Sequence, residues 1–297
     1  MQIIDLSQPH TLAEPLTVAL GYFDSIHVGH QALIAKAVSL GRKVGAFTFV
    51  GDFYGSLGQA VKPIFDWETR KALLADLGVD YVLTLPAEPR WLNASGEDFL
   101  ALMPYARAFV CGTDFRFGRG AECDTAYLAD YCTRKGLQLA VVDLTRLYGV
   151  KVSTRHLRQY LKEGDIPRLN EALGRPYALH GQVVHGKELG NRLGFPTANF
   201  FPDESLELPL EGVYVAGVTI DGKGYQAVCN LGKQPTVGGE AFRLETCILG
   251  YDGDLYDRDL TVRLYERLRD IVKFDTVDEL KAQIASDVLR TKEKVRV

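Results

Sequence analysis

The sequence lacks the features that mark disulfide-rich, membrane and nucleic-acid-binding proteins. Its five cysteines form an odd set without C-x-x-C spacing, which argues against both a disulfide framework and a zinc site. No uncharged apolar run reaches about 18 residues, and the N-terminus has no cationic start followed by an apolar core. Neither sign of charge dominates, because 34 basic residues face 38 acidic ones. We therefore expect a cytoplasmic protein that binds neither nucleic acid nor a membrane.

Length and apolar content indicate two domains. The chain has 297 residues, of which 46% are hydrophobic, enough for a sizeable core. Helical patterns alternate with short apolar runs in the first part of the chain, whereas the later part is dominated by strand-like alternation. We therefore place a first domain at 1–178 and a second at 179–297. A small molecule is the expected partner, and a weak association between copies of the chain is left open.

Strands alternate with helices throughout the first domain. The run from Leu16 to Phe23 is short, apolar and rich in β-forming residues, and a helical pattern follows it until Gly41. Such alternation predicts a parallel, doubly wound, Rossmann-like α/β sheet, whose ligands lie at the carboxyl ends of the strands. The further strands are expected near 44–49, 79–85, 107–111 and 137–143, with helices near 66–77, 96–103 and 124–135.

Two histidines follow the first of these strands. His27 and His30 stand at a glycine-bearing helix start, where unpaired N–H groups and the positive end of the helix dipole suit an anionic ligand such as a phosphate. Attack of one phosphate on another needs no protein nucleophile, because positioning and charge stabilisation suffice. A lone histidine would more simply be structural, but the pair directly after a strand favours a functional role.

Period-two alternation dominates the second domain. The segments 212–220 and 225–231 flank Asp221-Gly222, a strong hairpin signal, and 244–251 and 259–265 flank a second predicted turn at 252–254. Several short strands without helices between them predict a small antiparallel β-barrel. A C-terminal helix is announced by the capping box Thr276-x-x-Glu279. Its buried face is expected to carry Val277, Leu280, Ile284 and Val288.

The stretch from Gly181 to Asn199 combines closely spaced glycines with the sequence Gly-Phe-Pro-Thr-Ala-Asn at its end. Glycines let backbone N–H groups approach a ligand, and Pro196 fixes the chain before two polar side chains. Thr197 and Asn199 could give neutral oxygens to Mg²⁺ while the glycine-rich backbone holds phosphates. The alternative is an ordinary glycine-rich turn in a small barrel.

The whole string GxVxxGxxxGxxLGFPTAN resembles the signature of riboflavin kinase. The resemblance implies a magnesium ion held by Thr197 and Asn199, and a catalytic base at Glu245, which would otherwise be a surface-strand residue. It also implies a flavin contact at Arg269, in the segment similar to L-R-x-E-x-K-F. The implied ATP-binding residues of this half are Gly186, Gly190, Gly194, Pro196 and Thr197.

The first half resembles the FMN adenylyltransferase module of the nucleotidyltransferase superfamily. FDSIHVGH is similar to the F-D-x-x-H-x-G-H motif, and CGTDFRFG to the segment G-x-D-F-R-F-G. The resemblance implies flavin contacts at Asp114 and Phe115. For Arg158 the alternative is a solvated helix face. The implied ATP-binding residues are Gly21, Phe23, Asp24, His27, His30, Ser153 and Arg158, with His27 and His30 in catalytic roles.

Several positions depart from the family pattern. Ser25 replaces a usual glycine, and Thr154 and Arg155 stand where serine and threonine are usual. The family's proline-and-histidine segment after the second strand reads here as Phe-Val-Gly-Asp-Phe-Tyr at 49–54. Ile271 likewise replaces a usual glutamate near Arg269.

The resemblance implies a bifunctional enzyme of flavin cofactor synthesis. The barrel would phosphorylate riboflavin to FMN with Mg²⁺ and ATP, and the α/β domain would then adenylylate FMN to FAD with release of pyrophosphate. Two alternatives stay open. One is a kinase whose N-terminal module has lost adenylyl transfer, which the departures motivate, and the other is a flavin-binding protein without turnover.

Overall fold

The chain forms two compact units, Met1–Thr154 and Arg155–Val297. A computed structural model describes residues 1–12, 14–185, 195–236 and 239–294. Among these residues, no helix is at once long enough and apolar enough to cross a membrane.

The first unit is built on a six-stranded sheet in which all neighbouring strands run parallel. The spatial order is β1-β4-β3-β2-β5-β6, so the chain winds outward in both directions from the middle of the sheet. This confirms the predicted Rossmann-like architecture. The strands are β1 (Gln2–Asp5), β2 (Leu16–Leu20), β3 (Lys43–Val50), β4 (Tyr81–Pro86), β5 (Ala106–Gly112) and β6 (Gln138–Val142).

Helices connect these strands, and their ends are set by residues visible in the sequence. The helices are α1 (Val28–Ser39), α2 (Phe53–Ser56), α3 (Trp67–Asp76), α4 (Pro89–Leu92), α5 (Gly96–Ala101) and α6 (Thr125–Lys135). Asp66 caps α3 by accepting a hydrogen bond from the Thr69 N–H, and Gly136 ends α6 in the left-handed conformation that glycine adopts without strain. A hairpin of β7 (Arg146–Leu147) and β8 (Val150–Lys151) follows β6.

Both faces of the parallel sheet are buried. Alternate residues of β2 enter two different apolar clusters, with Val18 and Leu20 in one and Ala19 in the other. Strand β5 divides in the same way between Phe109 and Val110. Burial on both faces explains why these strands read as continuous apolar runs rather than as alternating ones.

The second unit contains a six-stranded antiparallel sheet with the order β10-β13-β12-β11-β14-β9. Its two edges meet at one bridge, where the Val184 N–H donates to the Asn199 carbonyl at 2.7 Å, so the sheet curls into the predicted barrel. The strands are β9 (Tyr177–Gln182), β10 (Thr197–Phe200), β11 (Gly212–Ile220), β12 (Lys223–Thr236), β13 (Gly239–Ile248) and β14 (Asp259–Arg269), followed by helix α9 (Val277–Lys294).

One of the two predicted hairpins of the barrel is present. Asp221 and Gly222 both have positive φ and join β11 to β12 as expected. The second prediction was wrong, because β13 pairs with β12 and β10 whereas β14 pairs with β11 and β9. The segment 249–258 is therefore a crossing connection, since Asp and Gly favour turns within any loop and not only within hairpins.

Two helices before the barrel belong to the second compact unit. They are α7 (Thr154–Glu163) and α8 (Ile166–Leu173). The Asn170 side chain ties α8 to the sheet, because its amide donates to the Leu264 carbonyl at 2.8 Å and accepts from the Tyr177 N–H at 2.7 Å. The units therefore divide after Thr154, whereas the sequence placed the domain boundary after residue 178.

The buried residues of helix α9 are polar, whereas the sequence predicted an apolar buried face. Thr276 caps it by accepting from the Glu279 N–H, as the capping box predicts, but Val277 is 55% exposed and its predicted burial was wrong. The buried residues are Asp287 and Thr291. Asp287 accepts hydrogen bonds from the Arg269 guanidinium, with an Nη2–Oδ2 distance of 2.8 Å. Arg269 thus holds the C-terminal helix in this structure, and its predicted flavin contact stays a prediction.

We expect Asp287→Asn to destabilise the second unit by about 3 kcal/mol, because it leaves the largely buried guanidinium of Arg269 without its counter-charge. Asp270→Asn is the matched control, since that carboxylate pairs with Arg267 while its side chain is 82% exposed, and its loss should cost less than about 0.5 kcal/mol. Urea unfolding of both variants measures the difference. Equal losses would contradict a structural role for the buried pair.

Candidate active sites

The loop between β2 and α1 has a strained backbone. Phe23 and Ile26 have φ values of 50° and 45°, a region that residues with a Cβ rarely enter. A Cβ at Gly21 would lie 3.1 Å from the Phe23 ring, closer than an ordinary van der Waals contact, so the packing here favours glycine. His27 closes the loop as the N-cap of α1, its Nδ1 accepting from the His30 N–H at 3.2 Å. Backbone strain of this kind is found mainly at functional sites.

His27 and His30 form one stacked pair. Their ring centroids are 3.8 Å apart, and the rings are within 8° of parallel. Because Nδ1 of His27 accepts a hydrogen bond, a neutral His27 carries its proton on Nε2. Burial lowers the pKa of His30 well below its ordinary value, and the neighbouring His27, Arg70 and Lys151 lower it further. His30 is therefore neutral at pH 7, and its buried Nδ1 has no hydrogen-bond partner within the described ranges.

A cavity of about 340 Å³ opens beside the histidine pair. It lies at the carboxyl ends of β2, β5 and β6, which contribute Leu20, Gly112 and Val142 to its wall. Ligands of doubly wound sheets bind at this edge. Of the residues that the sequence singled out, the cavity is lined by Gly21, His27, His30, Asp114, Phe115 and Ser153.

Three predicted ATP-binding residues of this half are placed differently. Phe23 and Asp24 are buried in the loop, and neither is among the described residues that line the cavity. Asp24 accepts a hydrogen bond from the Tyr54 hydroxyl at 3.0 Å. Arg158 is buried in α7 and belongs to the second compact unit, so its phosphate contact stays a prediction.

Two departures from the family pattern are bonded to each other. The Ser25 hydroxyl lies 3.1 Å from the Thr154 hydroxyl, and Ser25 is fully buried. Thr154 lines the cavity next to Ser153. The hydrogen bond therefore links the strained loop to the segment that would hold phosphates. The two departures from the family pattern are therefore joined by a hydrogen bond.

In the barrel, strand register brings polar side chains together. Asn199 on β10 lies opposite Glu245 on β13, and Glu245 lies opposite Asn230 on β12. Directly opposed residues of antiparallel strands share a face of the sheet, so the three side chains form a row across three strands. Thr197 precedes Asn199 by two residues on the same face, and the Asn199 amide lies 3.4 Å from the Thr197 hydroxyl. The sequence predicted Thr197, Asn199 and Glu245 as one site.

The Glu245 carboxylate is held by two neighbours. Gln234 donates a hydrogen bond to its Oε1 at 3.1 Å, and the Arg243 Nε lies 3.8 Å from the same oxygen. The Glu245 side chain remains 31% exposed, whereas that of Arg243 is buried. A carboxylate oriented in this way and still open to solvent has the geometry of a general base.

Two amide oxygens in this row have no partner among the residues that the structure describes. Asn199 Oδ1 and Asn230 Oδ1 are buried and accept no hydrogen bond from any of these residues. Such groups are rare in folded proteins and indicate an acceptor that a ligand would satisfy. Neutral oxygens of this kind, beside the Thr197 hydroxyl, suit a hard cation such as Mg²⁺.

A second cavity, of about 420 Å³, lies beside the row. Pro196 and Thr197 line it together with the loop 251–256. Thr246 and Ile248 also line it, and because they alternate with Glu245 along β13, that carboxylate lies on the other face of the strand. Asn199 shares the face of Glu245. The predicted phosphate-binding glycines Gly186, Gly190 and Gly194 lie outside the described residues.

Comparisons with known proteins agree with the division into two sites. The family model for FAD synthetase matches residues 10–156, and that for riboflavin kinase matches residues 173–295. The bifunctional riboflavin kinase/FMN adenylyltransferase of Escherichia coli K12 is 34% identical, over 94% of this chain and 93% of its own. This chain belongs to the bifunctional riboflavin kinase/FMN adenylyltransferase family.

Other relatives give the same result. The family member of Bacillus subtilis is 29% identical over 97% of this chain and 96% of its own. A crystal structure from Streptococcus pneumoniae, named a macrolide-efflux protein, is 28% identical, with a TM-score of 0.90 over 99% of both chains. The family assignment and this likeness both support an α/β unit followed by a β-barrel.

Within this family member, the structure adds cavity residues that the sequence did not single out. Lys151 and Arg116 bring positive charge to the cavity wall, and Lys151 forms an ion pair with Asp114. Thr145 lies on the same wall. The sequence feature that could have indicated Lys151 was its position two residues before Ser153. It was missed because the β7–β8 hairpin that places it is only two residues long on each side.

We expect the lowered pKa of His30 to make the first unit less stable in mild acid. The unfolded chain protonates His30 near pH 6.5 while the folded one does not, so stability falls as pH drops from 6.5 toward the folded pKa. Between pH 7.5 and pH 5.5 the free energy of unfolding should fall by about 1 kcal/mol more in the wild type than in His30→Gln. Thermal melting at both pH values measures this. The exposed His180 gives the control variant His180→Gln, which should keep the wild-type slope.

Proposed function

We propose that this chain makes FAD from riboflavin in two ATP-dependent steps, each in its own unit. Riboflavin is first phosphorylated to FMN in the barrel, and FMN is then adenylylated in the α/β unit. The observation that carries the proposal is that each unit holds a separate polar site within the span of its own family domain. The barrel has the row of Asn199, Glu245 and Asn230, and the α/β unit has the stacked histidines at a cavity.

In the kinase step, Glu245 is the general base. It takes the proton from the 5′-hydroxyl of the ribityl chain as that oxygen attacks the γ-phosphorus of ATP, and ADP leaves. Gln234 orients the carboxylate by donating a hydrogen bond to Oε1, and the Arg243 guanidinium lies at ion-pair distance from the same oxygen. Pro196 and Thr197 would lie against the nucleotide, with Gly186, Gly190 and Gly194 against its phosphates.

The residues of the barrel also fit a magnesium ion. Thr197 and Asn199 would hold it, and the observation that favours this is that the buried Oδ1 of Asn199 accepts no hydrogen bond from the described part of the chain. Mg²⁺ usually keeps waters and phosphate oxygens in the rest of its shell, so two neutral protein ligands suffice. When bound, the ion neutralises charge on the transferred phosphoryl group.

In the adenylyl step, an FMN phosphate oxygen attacks the α-phosphorus of ATP, and pyrophosphate leaves. His27 and His30 face the phosphates at the start of α1, where the helix dipole also favours negative charge. Lys151 adds a cation, and Ser153 a hydroxyl. Asp114 and Phe115 are the flavin-side residues of this cavity. No residue needs to act as a nucleophile.

The setting of the reaction follows from the same proposal. The partners are the small molecules ATP, riboflavin and FMN, and the reactions call for neither nucleic acid nor a membrane. We place the chain in the cytoplasm, because all five cysteines are buried free thiols. Association between copies of the chain is not needed for either step.

A time course from riboflavin, ATP and Mg²⁺, resolved by HPLC, tests the two assignments. Glu245→Gln should block FMN formation because it removes the base, while FAD still forms from added FMN. His30→Ala should let FMN accumulate without FAD. Glu240→Gln, at an exposed position of the same strand as Glu245, is the control and should behave as wild type.

The same experiment decides between the proposal and its alternatives. Accumulation of FMN without FAD or pyrophosphate in the wild type would identify a kinase with an inactive α/β unit. Retention of flavin without ADP formation would identify a binding protein without turnover. The oriented carboxylate of Glu245 favours catalysis over simple flavin binding, which needs no general base.

We expect Asn199→Ala to raise the Mg²⁺ concentration that gives half-maximal FMN formation by about tenfold, the effect of losing one ligand to a charged group. FAD formation from FMN should keep its wild-type Mg²⁺ dependence, because that reaction takes place in the other unit. Titration of Mg²⁺ in the two half-reactions measures both values. An equal shift in the two would contradict a metal site at Asn199.

A further inference from the structure

A buried arginine lies beneath the loop that carries the histidine pair. Arg70 of α3 is only 5% exposed, and its guanidinium donates to the Tyr22 carbonyl at 2.8 Å and to the Phe23 carbonyl at 3.1 Å. It also donates to the Thr48 hydroxyl at 2.6 Å. All three acceptors are neutral oxygens. No sequence pattern singles out Arg70, because it lies in an ordinary helical pattern far from the motif.

Thr48 completes the support of the loop. It is fully buried near the end of β3, and its hydroxyl donates to the Tyr22 carbonyl at 2.5 Å. Two donors from different elements thus converge on one carbonyl oxygen. The planar guanidinium also lies between two rings, 5.1 Å from the Tyr22 centroid and 5.4 Å from that of Trp67. Arg70 is therefore fixed in both position and plane.

Burying a charged guanidinium in this way costs free energy, and a role in the site would explain why it is retained. Burial lowers the pKa of the Arg70 guanidinium, which shows that its charged form is poorly solvated. Two of the three groups that it binds, the Tyr22 and Phe23 carbonyls, belong to the turn whose residues Phe23 and Ile26 have strained backbones. Strain of this kind persists only where neighbouring groups hold it in place. The bonds to Tyr22 and Phe23 do so immediately before His27 and His30.

We propose that Arg70 and Thr48 are positioning residues for adenylyl transfer. They fix the Tyr22 and Phe23 carbonyls so that His27 and His30 present their rings to the phosphates of ATP, and the Arg70 charge adds to burial and to His27 in disfavouring protonation of His30. The inference rests on the adenylyltransferase function proposed for this unit. Neither residue touches the substrate, since neither is among the described residues that line the cavity.

The charged and titratable groups near His30 agree with this electrostatic role. His27 stacks on it from the helix start, Arg70 acts from α3, and Lys151 acts from β8. The acids of the region are already engaged, because Asp114 pairs with Lys151 and Asp24 accepts from Tyr54. Loss of the Arg70 charge should therefore make His30 easier to protonate.

Steady-state kinetics of FAD formation by the full chain test the positioning role. Arg70→Gln should lower kcat by about 100-fold, the cost of misplacing catalytic groups by about 1 Å. Arg70→Lys keeps the charge but not the planar fork, and the near-isosteric Thr48→Val removes one hydrogen bond, so each should lower kcat about tenfold. KM for ATP should stay within about threefold and FMN formation in the barrel should be unchanged, since no substrate contact is lost.

Arg107→Gln is the matched control, because exposed Arg107 also bonds two backbone carbonyls.

The titration of His30, followed by NMR in the same variants, gives a readout that is independent of turnover. The His30 pKa should rise in Arg70→Gln and stay at the wild-type value in Arg70→Lys and Thr48→Val, which keep the charge. A structural role alone would move the melting temperature without this pattern. An unchanged His30 pKa in Arg70→Gln would overturn the electrostatic role.

The outcomes separate this inference from the proposed function. FAD formation within twofold of wild type in both Arg70→Lys and Thr48→Val would overturn the positioning role, as would a raised KM for ATP at unchanged kcat. Should Arg70→Gln fail to fold, these two milder variants still decide. A wild type that forms no FAD would contradict the proposed function instead, and the His30 titration would then decide the inference.

Discussion

The antiparallel register between β10 and β13 is the constraint on which the barrel site depends. It sets Asn199 opposite Glu245, and the next pairing sets Glu245 opposite Asn230. A slip by one residue would turn each of these side chains to the other face of the sheet. The bridge from Val184 to Asn199 fixes the same residue from the opposite edge. Closure of the barrel and assembly of the polar row are therefore one event.

The two units solve a similar problem with different architectures. Each must hold a triphosphate, and in both the described groups nearest the site include neutral ones: stacked imidazoles in the α/β unit, amide and hydroxyl oxygens in the barrel. The parallel sheet gathers its groups at strand ends beside a helix start, where backbone dipoles assist. The antiparallel sheet places them in a row across strands. Strand register thus positions these groups, as the helix start does in the first unit.

The local sequence pattern predicted most of the fold, but it could not predict which residues distant in the chain would pair. Alternation and capping residues such as Asp66 predicted the order of elements, and the motif around His27 and His30 predicted where a cavity would lie. The sequence could not show that Asp287 pairs with Arg269, because the two lie on elements that meet only in the folded barrel. It could not show the crossing of 249–258 either, since Asp and Gly favour turns of any topology.

The hydrogen bond between Ser25 and Thr154 has an evolutionary corollary. Ser25 is buried and Thr154 is half-buried at the cavity wall, so replacing either one alone removes a hydrogen bond from the other. Exchange at these two sites should therefore proceed in tandem along a lineage, either as a hydroxyl pair or as a pair without one. Ser25 belongs to a short loop, but the residue that it bonds lies 129 positions further along the chain.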